Sequence, residues 1–398
     1  MLSWQNTDLS LKDDRLSLLV SRQRAWVEID LQALADNTRA ISRFISPQTE
    51  LMAVVKADAY GHGAIEIAKT VLANGASCLA IATLAEGVEL RQAGIDAPIL
   101  ILGAINAPED IKAVAAWSLE PTICSPQQAS VFAETLSEVG QTLSVHLKLD
   151  TGMSRLGTDW KDGVKFVNIV RSLPNLNLKS VYSHFATADD PDKTIMNQQH
   201  RRFCQVISQL ERSQLTLPYL HIANSAAMLS DRSLHYDLVR VGLALYGLYP
   251  APHLTASIPL KPVMAVKSKI AQIKTIAPGT GVSYGHRFVA HKATKIAVVG
   301  IGYADGVPRL LSNRLRAIVR GKLVAQIGTI TMDQLMLDVS NIPDLQAGEV
   351  VTLIGNEGQI TLTVDDWAEA LNTISWEIIC GFKHRLPRVN LNSRGNGF

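Results

Sequence analysis

The sequence predicts an α/β protein built from an N-terminal (β/α)8 TIM barrel and a C-terminal, mainly-β domain. Three observations carry this expectation. Between residues 25 and 250, short apolar runs alternate with helical stretches, the rhythm of βα units around a parallel sheet. After Pro250 the runs become short and β-prone, with turn residues between them. Between the two regions lies Ala251–Pro262, which carries Pro252, Pro259 and Pro262 and reads as a boundary. At 398 residues the chain also exceeds the usual size of a single domain. An open doubly wound sheet is the competing architecture for the same alternation.

Taken in order, residues 1–22 hold Asp8, Lys12, Asp13, Asp14 and Arg15. These charges interrupt the apolar core of roughly 7–15 residues that a signal peptide needs, so the segment reads as a polar extension. The barrel is assigned to residues 23–261. It opens with Val27–Asp30, where Asp30 is placed to cap an amphipathic helix, Leu31–Phe44. Eight strand-like runs follow: Leu51–Ala57, Cys78–Thr83, Pro98–Leu102, Leu119–Cys124, Leu143–Asp150, Leu178–Ser183, Tyr219–Ala223 and Tyr236–Val241. Helical segments such as Ala64–Ala73, Glu86–Ala93, Gln127–Val139 and Asn197–Gln209 fall between them. The β-rich domain, residues 262–398, is expected to use Val263–Ile276, Lys295–Ile301, Leu315–Arg320, Leu323–Ile327, Leu335–Val339, Val350–Ile354 and Ile360–Leu362. Thr363 and Asp366 have the spacing of a capping box before one helix, Val364–Leu371.

Composition excludes several classes of function. Hydrophobic residues make up 47% and charged residues 19%, as in a soluble globular protein with large cores. A net charge of +2 gives no electrostatic reason to expect nucleic acid or an anionic membrane as partner. No segment approaches the roughly 18 uninterrupted apolar residues of a membrane span. Cys78, Cys124, Cys204 and Cys380 are widely spaced, which favours a reduced, cytoplasmic protein with free thiols. The ten histidines show no metal-ligand spacing, so no metal site is expected.

The sharpest local feature is Val54-Val55-Lys56-Ala57-Asp58-Ala59-Tyr60-Gly61-His62-Gly63. Lys56 closes an apolar strand, and burying its ammonium is costly unless it is neutral or covalently used. A strand-end lysine taken alone more often snorkels to the rim. Here Gly61 and Gly63 permit close backbone approach to a ligand, and Tyr60 offers a hydroxyl. Barrels gather their chemistry at this end of the strands. They commonly bind phosphate after the last two, where Ser225 and Gly242-Leu243 lie.

Lys56-Ala57-Asp58-Ala59-Tyr60-Gly61-His62-Gly63 resembles the cofactor-lysine signature of the alanine racemases, and the resemblance continues in the same order from about residue 24 to 388. It implies pyridoxal 5'-phosphate bound covalently to Lys56, and interconversion of L-alanine and D-alanine that supplies D-alanine for peptidoglycan. By the same resemblance Arg155, in Asp150-Thr151-Gly152-Met153-Ser154-Arg155-Leu156-Gly157, contacts the cofactor's phenolic oxygen and the substrate carboxylate. Lys148 matches a lysine often carbamylated in the family. His184 lies against the cofactor ring, Arg240 faces the pyridine nitrogen, and Tyr60, Ser225, Gly242 and Leu243 surround the phosphate. A guanidinium stays charged, so the ring nitrogen facing it remains unprotonated and the ring is a restrained electron sink. An Arg240–Asp237 ion pair is the structural alternative.

In the β domain, Gly281-Val282-Ser283-Tyr284-Gly285 is similar to the segment that delivers a second catalytic base from the other subunit of a homodimer. In the family the lysine acts on D-alanine and the tyrosine on L-alanine. Tyr303, Met332 and Asp333 resemble the entry and carboxylate-contact segments, and Arg309 falls where the entry corridor carries an arginine. Two departures stand out. Gly328-Thr329-Ile330-Thr331-Met332-Asp333 lacks the family's arginine at position 329. Trp376 replaces a tyrosine that reaches the phosphate through its hydroxyl, and its bulk favours a small substrate side chain. Rival readings are a racemase or decarboxylase for other amino acids, and a small pyridoxal-phosphate-binding homeostasis protein. Residues 262–388 and Tyr284 argue against the last.

Overall fold

The computed structural model describes residues 24–213 and 218–391. The polar extension expected at residues 1–22 lies outside them. The described residues form two compact units: one runs from Leu31 to Val263, and the other joins residues 24–30 with residues 264–391.

The first strand, β1 (Ala25–Asp30), precedes helix α1 (Leu31–Phe44). Sequence reasoning places these residues with the barrel, but β1 pairs antiparallel with β10 (Met264–Ile276) and parallel with β17 (Arg388–Leu391). Ala25, Trp26, Val27 and Ile29 are apolar, and every β1 residue before Asp30 is buried, a pattern common to covered strands in either kind of sheet. Only the pairing distinguishes them.

The Leu31–Val263 unit is an eight-stranded parallel barrel. Its strands are β2 (Glu50–Val54), β3 (Cys78–Ile81), β4 (Ile99–Ala104), β5 (Glu120–Ile123), β6 (Leu143–Asp150), β7 (Leu176–Tyr182), β8 (Tyr219–His221) and β9 (Leu238–Val241). They run in the order β9-β2-β3-β4-β5-β6-β7-β8. The ends meet where Asp237 N donates to Leu220 O at 3.1 Å and Arg240 N to Ala223 O at 3.0 Å. This joining decides against an open doubly wound sheet.

Helices α2 (Ala64–Ala73), α3 (Leu84–Gln92), α4 (Pro108–Ala116), α5 (Pro126–Glu138), α6 (Gly163–Arg171), α7 (Thr194–Arg212) and α8 (Ser225–Ser230) lie between the strands. Their starts are written locally: Thr83 and Glu86 form a capping box on α3, and Ser125 caps α5 with Pro126 in the first turn. Each such cap is worth about 1 kcal/mol. Strand side chains including Leu79, Ile101, Val145 and Leu147 are fully buried.

The second unit is organised around β10, whose 13 residues serve several partners. It pairs with β1 and β15 (Val350–Glu357) over its first half, and with β11 (Thr294–Val299) over its second. A register shift between Ile270 and Gln272 marks the change. Strands at Arg316–Val319, Lys322–Ala325, Leu335–Asp338 and Ile360–Leu362 complete the sheet structure. The expected helix Val364–Leu371 is present with its Thr363–Asp366 capping box. A further helix, Ser375–Gly381, and strand β17 were not expected.

Candidate active site

Strand β2 ends at Val54, so Lys56 stands just beyond its C-terminal end rather than inside the strand. Ala57, Asp58, Ala59 and Tyr60 then take φ values of 54°, 52°, 51° and 55°. A left-handed turn of four non-glycine residues costs on the order of 1–2 kcal/mol per residue. It persists because its surroundings hold it: Ala57 N donates to Glu86 Oε1 at 2.7 Å, and Asp58 Oδ1 accepts from Ala64 N at 2.7 Å. Ala59 N donates to Val55 O at 2.8 Å. The turn reverses the chain and drives the Tyr60 side chain inward against Tyr246, with ring centroids 5.0 Å apart.

Tyr60 meets the ends of the last strands there. A Cβ added to Gly242 would lie 2.5 Å from the Tyr60 hydroxyl, so only glycine permits this approach. Ser225 Oγ accepts from Gly242 N at 3.0 Å and from Ala244 N at 3.5 Å. Tyr60, Ser225, Gly242 and Leu243 therefore form one cluster of hydroxyl and backbone N–H groups at short helical starts, with no carboxylate among them. That donor set suits a phosphate.

Arg240 is buried beside this cluster. Its Nη1 donates to His221 Nδ1 at 2.7 Å, and its Nη2 donates to Ser183 O at 2.8 Å, Ile222 O at 3.1 Å and His184 Nδ1 at 3.1 Å. The guanidinium stands over the Tyr182 ring, 5.1 Å from its centroid. The Asp237 carboxylate accepts from Leu220 N at 2.7 Å instead of pairing with Arg240. Arg240 Nε–H meets no acceptor among the described residues, so it can serve an unprotonated pyridine nitrogen. Together, a phosphate cluster and a donor-only partner for a ring nitrogen fit pyridoxal 5'-phosphate.

Electrostatics keep His184 neutral and shift the Lys148 amine toward its neutral form. Burial, then the positive charges of Arg240, Lys148, Arg155 and Lys56, hold His184 well below its ordinary value. Lys148, also buried, is lowered to about 8 by burial first, then by Arg240 and Arg155. Arg155 is exposed on the loop after β6. Asp150 Oδ1 shapes that loop by accepting from Gly152, Met153 and Ser154 N at 2.9, 3.0 and 3.1 Å.

The other expected residues lie in the β unit. Tyr284 is 73% exposed, in a turn where Ser283 has φ 62° and Gly285 φ 72°. Thr329, at the position of the missing arginine, donates its hydroxyl to Tyr284 O at 2.7 Å, while Ser283 Oγ donates to Thr329 O at 2.7 Å. The threonine thus secures the tyrosine's turn. Exposed Tyr303 and Met332 sit on joined segments, with Tyr303 N donating to Thr331 O at 3.0 Å and Ala304 N to Met332 O at 3.1 Å. Asp333 pairs with Arg385 at 2.7 Å. Arg309 is exposed, and Trp376 is half-buried on the Ser375–Gly381 helix. An open cavity of about 710 Å³ beside Tyr284 includes Val282, Ile296, Val298 and Met336 in its lining.

Sequence reasoning missed the polar side chains beneath Arg240: His221, Ser180, His146, Tyr182 and Glu120. The available sign was alternation, since His146 and Lys148, or Ser180, Tyr182 and His184, recur at the period of one strand face.

Comparison with known proteins agrees with this geometry. Residues 29–250 match the alanine racemase N-terminal domain and residues 263–390 the alanine racemase C-terminal domain. The chain is 61% identical to the alanine racemase of Nostoc sp., over 93% of this chain and 96% of that protein. It is 61% identical to that of Synechocystis sp., over 92% and 99%. Among solved structures, alanine racemase from Clostridium difficile 630 superposes with a TM-score of 0.88 at 34% identity, covering 92% of this chain and 96% of that one. The Bacillus anthracis alanine racemase with bound L-Ala-P gives 0.87 at 36% identity, covering 93% and 95%. With both domains matched in order and nearly the full length of these relatives covered, this chain belongs to the alanine racemase family.

Proposed function

We propose that this chain interconverts L-alanine and D-alanine with pyridoxal 5'-phosphate, using Lys56 and Tyr284 as its two proton-carrying groups. The observation that carries this reading is the single cluster in which Tyr60, Ser225 and Gly242 offer a phosphate site beside buried Arg240. Tyr60, Ser225, Gly242 and Leu243 would hold the phosphate, Arg240 the ring nitrogen, His184 the ring face, and Lys56 the covalent attachment. When bound, the cofactor supplies an electron sink that acidifies the Cα–H of the amino acid it carries.

The residues then divide the labour. Lys56 Nζ takes or returns the proton on one face of Cα and Tyr284 Oη on the other, the lysine serving D-alanine and the tyrosine L-alanine. Neutral His184 adds no charge against the ring. Arg240 donates to the ring nitrogen without protonating it, which restrains charge delocalisation and favours reprotonation at Cα over side reactions. Arg155 engages the substrate carboxylate, and Tyr303, Met332 and Trp376 bound the substrate. Lys148, whose value of about 8 gives it far more neutral amine than an ordinary lysine, is suited to carbamylation, which would place a negative charge among these cations.

A homodimer completes the reading, with Tyr284 acting in the partner subunit's site. Its 73% exposure and the adjoining open cavity support this. A cytoplasmic setting goes with the free thiols of Cys78, Cys124 and Cys204. No helix among the described residues is long and apolar enough to cross a membrane.

The test is racemisation of each alanine enantiomer by the purified, cofactor-loaded chain, with the Lys56→Ala variant beside it. Both the cofactor's covalent absorbance band and racemisation should vanish in the variant. Racemisation persisting in Lys56→Ala would overturn the mechanism.

A further inference from the structure

Arg240 is a fully desolvated cation, and no carboxylate touches it among the described residues. A buried guanidinium without a counter-ion is costly. The barrel interior shows where the compensating charge lies. His221 Nδ1 accepts from Arg240 Nη1 at 2.7 Å, and His221 Nε2 is 2.8 Å from Ser180 Oγ. Ser180 Oγ is 2.6 Å from His146 Nδ1, and His146 Nε2 is 2.9 Å from Glu120 Oε2. Glu120 Oε1 also accepts from Lys179 Nζ at 2.6 Å. Glu120 is the first residue of β5, so the chain of contacts descends from the cofactor-binding mouth to the opposite, N-terminal mouth of the barrel.

The proton count gives this chain a direction. An arginine can only donate, so His221 Nδ1 is an acceptor and a neutral His221 carries its proton on Nε2. That proton goes to Ser180 Oγ. The serine's own O–H is then left for His146 Nδ1, which places the His146 proton on Nε2, pointing at the Glu120 carboxylate. Every donor points from Arg240 toward Glu120. Burial holds both histidines below their ordinary values, so each carries one ring proton. Burial raises the Glu120 carboxyl, but His146 and Lys179 outweigh it and hold it below its ordinary value.

We propose that Glu120 is the remote counter-ion and positioning residue of Arg240, acting through a one-way relay of His146, Ser180 and His221. Arg240 Nη1 requires an acceptor at His221 Nδ1, and the relay stabilises that tautomer by taking the Nε2 proton. Without the relay, the other tautomer becomes accessible as Nη1 swings off the imidazole, so the relay holds the guanidinium in place. The N–H groups that meet no acceptor among the described residues, Nε–H among them, stay available for the ring nitrogen. Glu120 touches neither substrate nor cofactor, and its part in the reaction rests on the function proposed above.

The test uses the full, cofactor-loaded chain labelled with ring-15N histidine, the His221 signals being assigned with a His221→Asn variant. In the parent chain, His221 should be protonated at Nε2 alone. In Glu120→Ala, a second tautomer of His221 should appear, and kcat should fall about tenfold, the usual size for removing an outer-shell partner, with KM within about twofold. Ser180→Ala, which cuts the relay at its middle, should produce both changes even if Glu120→Ala does not fold. An unchanged His221 tautomer in a folded relay variant overturns the proposal, as does a changed tautomer with unchanged kcat. A parent chain that shows the tautomer response but no racemisation would instead refute the proposed function and leave the relay in place.

Discussion

A tyrosine is a demanding choice of proton carrier, because its hydroxyl ordinarily titrates near 10. Tyr284 earns that role only if its loss spares binding and removes turnover. Tyr284→Phe deletes one oxygen from a side chain that is 73% exposed, so the fold should be untouched. The expected result is a fall in kcat of about 10²–10⁴, the range for losing one acid–base group, with the cofactor's absorbance unchanged. Undiminished racemisation would exclude Tyr284 as a base. Lys148 offers a second test, read in stability. Its amine titrates near 10.5 when unperturbed and near 8 when folded, with burial the largest cause. Between those values the unfolded chain binds more protons, so stability should rise with pH through that window. Below about 8 the penalty is fully present, and it is worth about 3 kcal/mol. Lys148→Met lacks this titration, so in carbonate-free buffer its stability relative to the parent should be highest at neutral pH. That difference should decline as the pH rises from about 8 to 10.5. Urea unfolding across the range measures it, and a constant difference would show that the charged lysine carries no such penalty.

Among elements, the decisive ones are the left-handed turn after β2 and the end of β9, which meet at Tyr60 and Gly242. Gly242→Ala places a methyl 2.5 Å from the Tyr60 hydroxyl, so Tyr60 must withdraw from the cluster. The cofactor's dissociation constant should rise about tenfold or more, equivalent to losing about one good hydrogen bond. Thermal unfolding of the cofactor-free chain should change little, and unaltered cofactor affinity would remove Gly242 from the phosphate site. How much of this was legible follows from the same elements. The barrel strands could be read because most are short, apolar-rich runs with helix starts between, such as Thr83 with Glu86 and Ser125 with Pro126. The pairing of β1 could not be read, since a doubly covered strand looks alike in both sheets and its partners lie some 240 residues or more away. Lys56, Tyr60 and Gly242 stood out through a local motif. His221, His146, Ser180 and Glu120 did not, because a polar side chain facing a barrel interior acquires meaning only when neighbouring strands place its partner opposite.

For the whole molecule, the arrangement of Lys56 and Tyr284 makes a prediction that no single-chain account shares. If each site takes Lys56 from one subunit and Tyr284 from its partner, two inactive variants should rescue each other. In a hybrid of Lys56→Ala and Tyr284→Phe subunits, one site inherits both defects and the other inherits neither. Unfolding and refolding an equal mixture should make half of the dimers hybrid, so activity should recover to about a quarter of the parent's per chain. Each variant refolded alone should stay inactive, and mixing without subunit exchange should restore nothing. The recovered activity should also fall on dilution if dissociation separates the two contributions. Should the mixed variants remain inactive while size measurements show hybrid dimers, both groups would have to serve a site within one chain. The 73% exposure of Tyr284 would then need another cause.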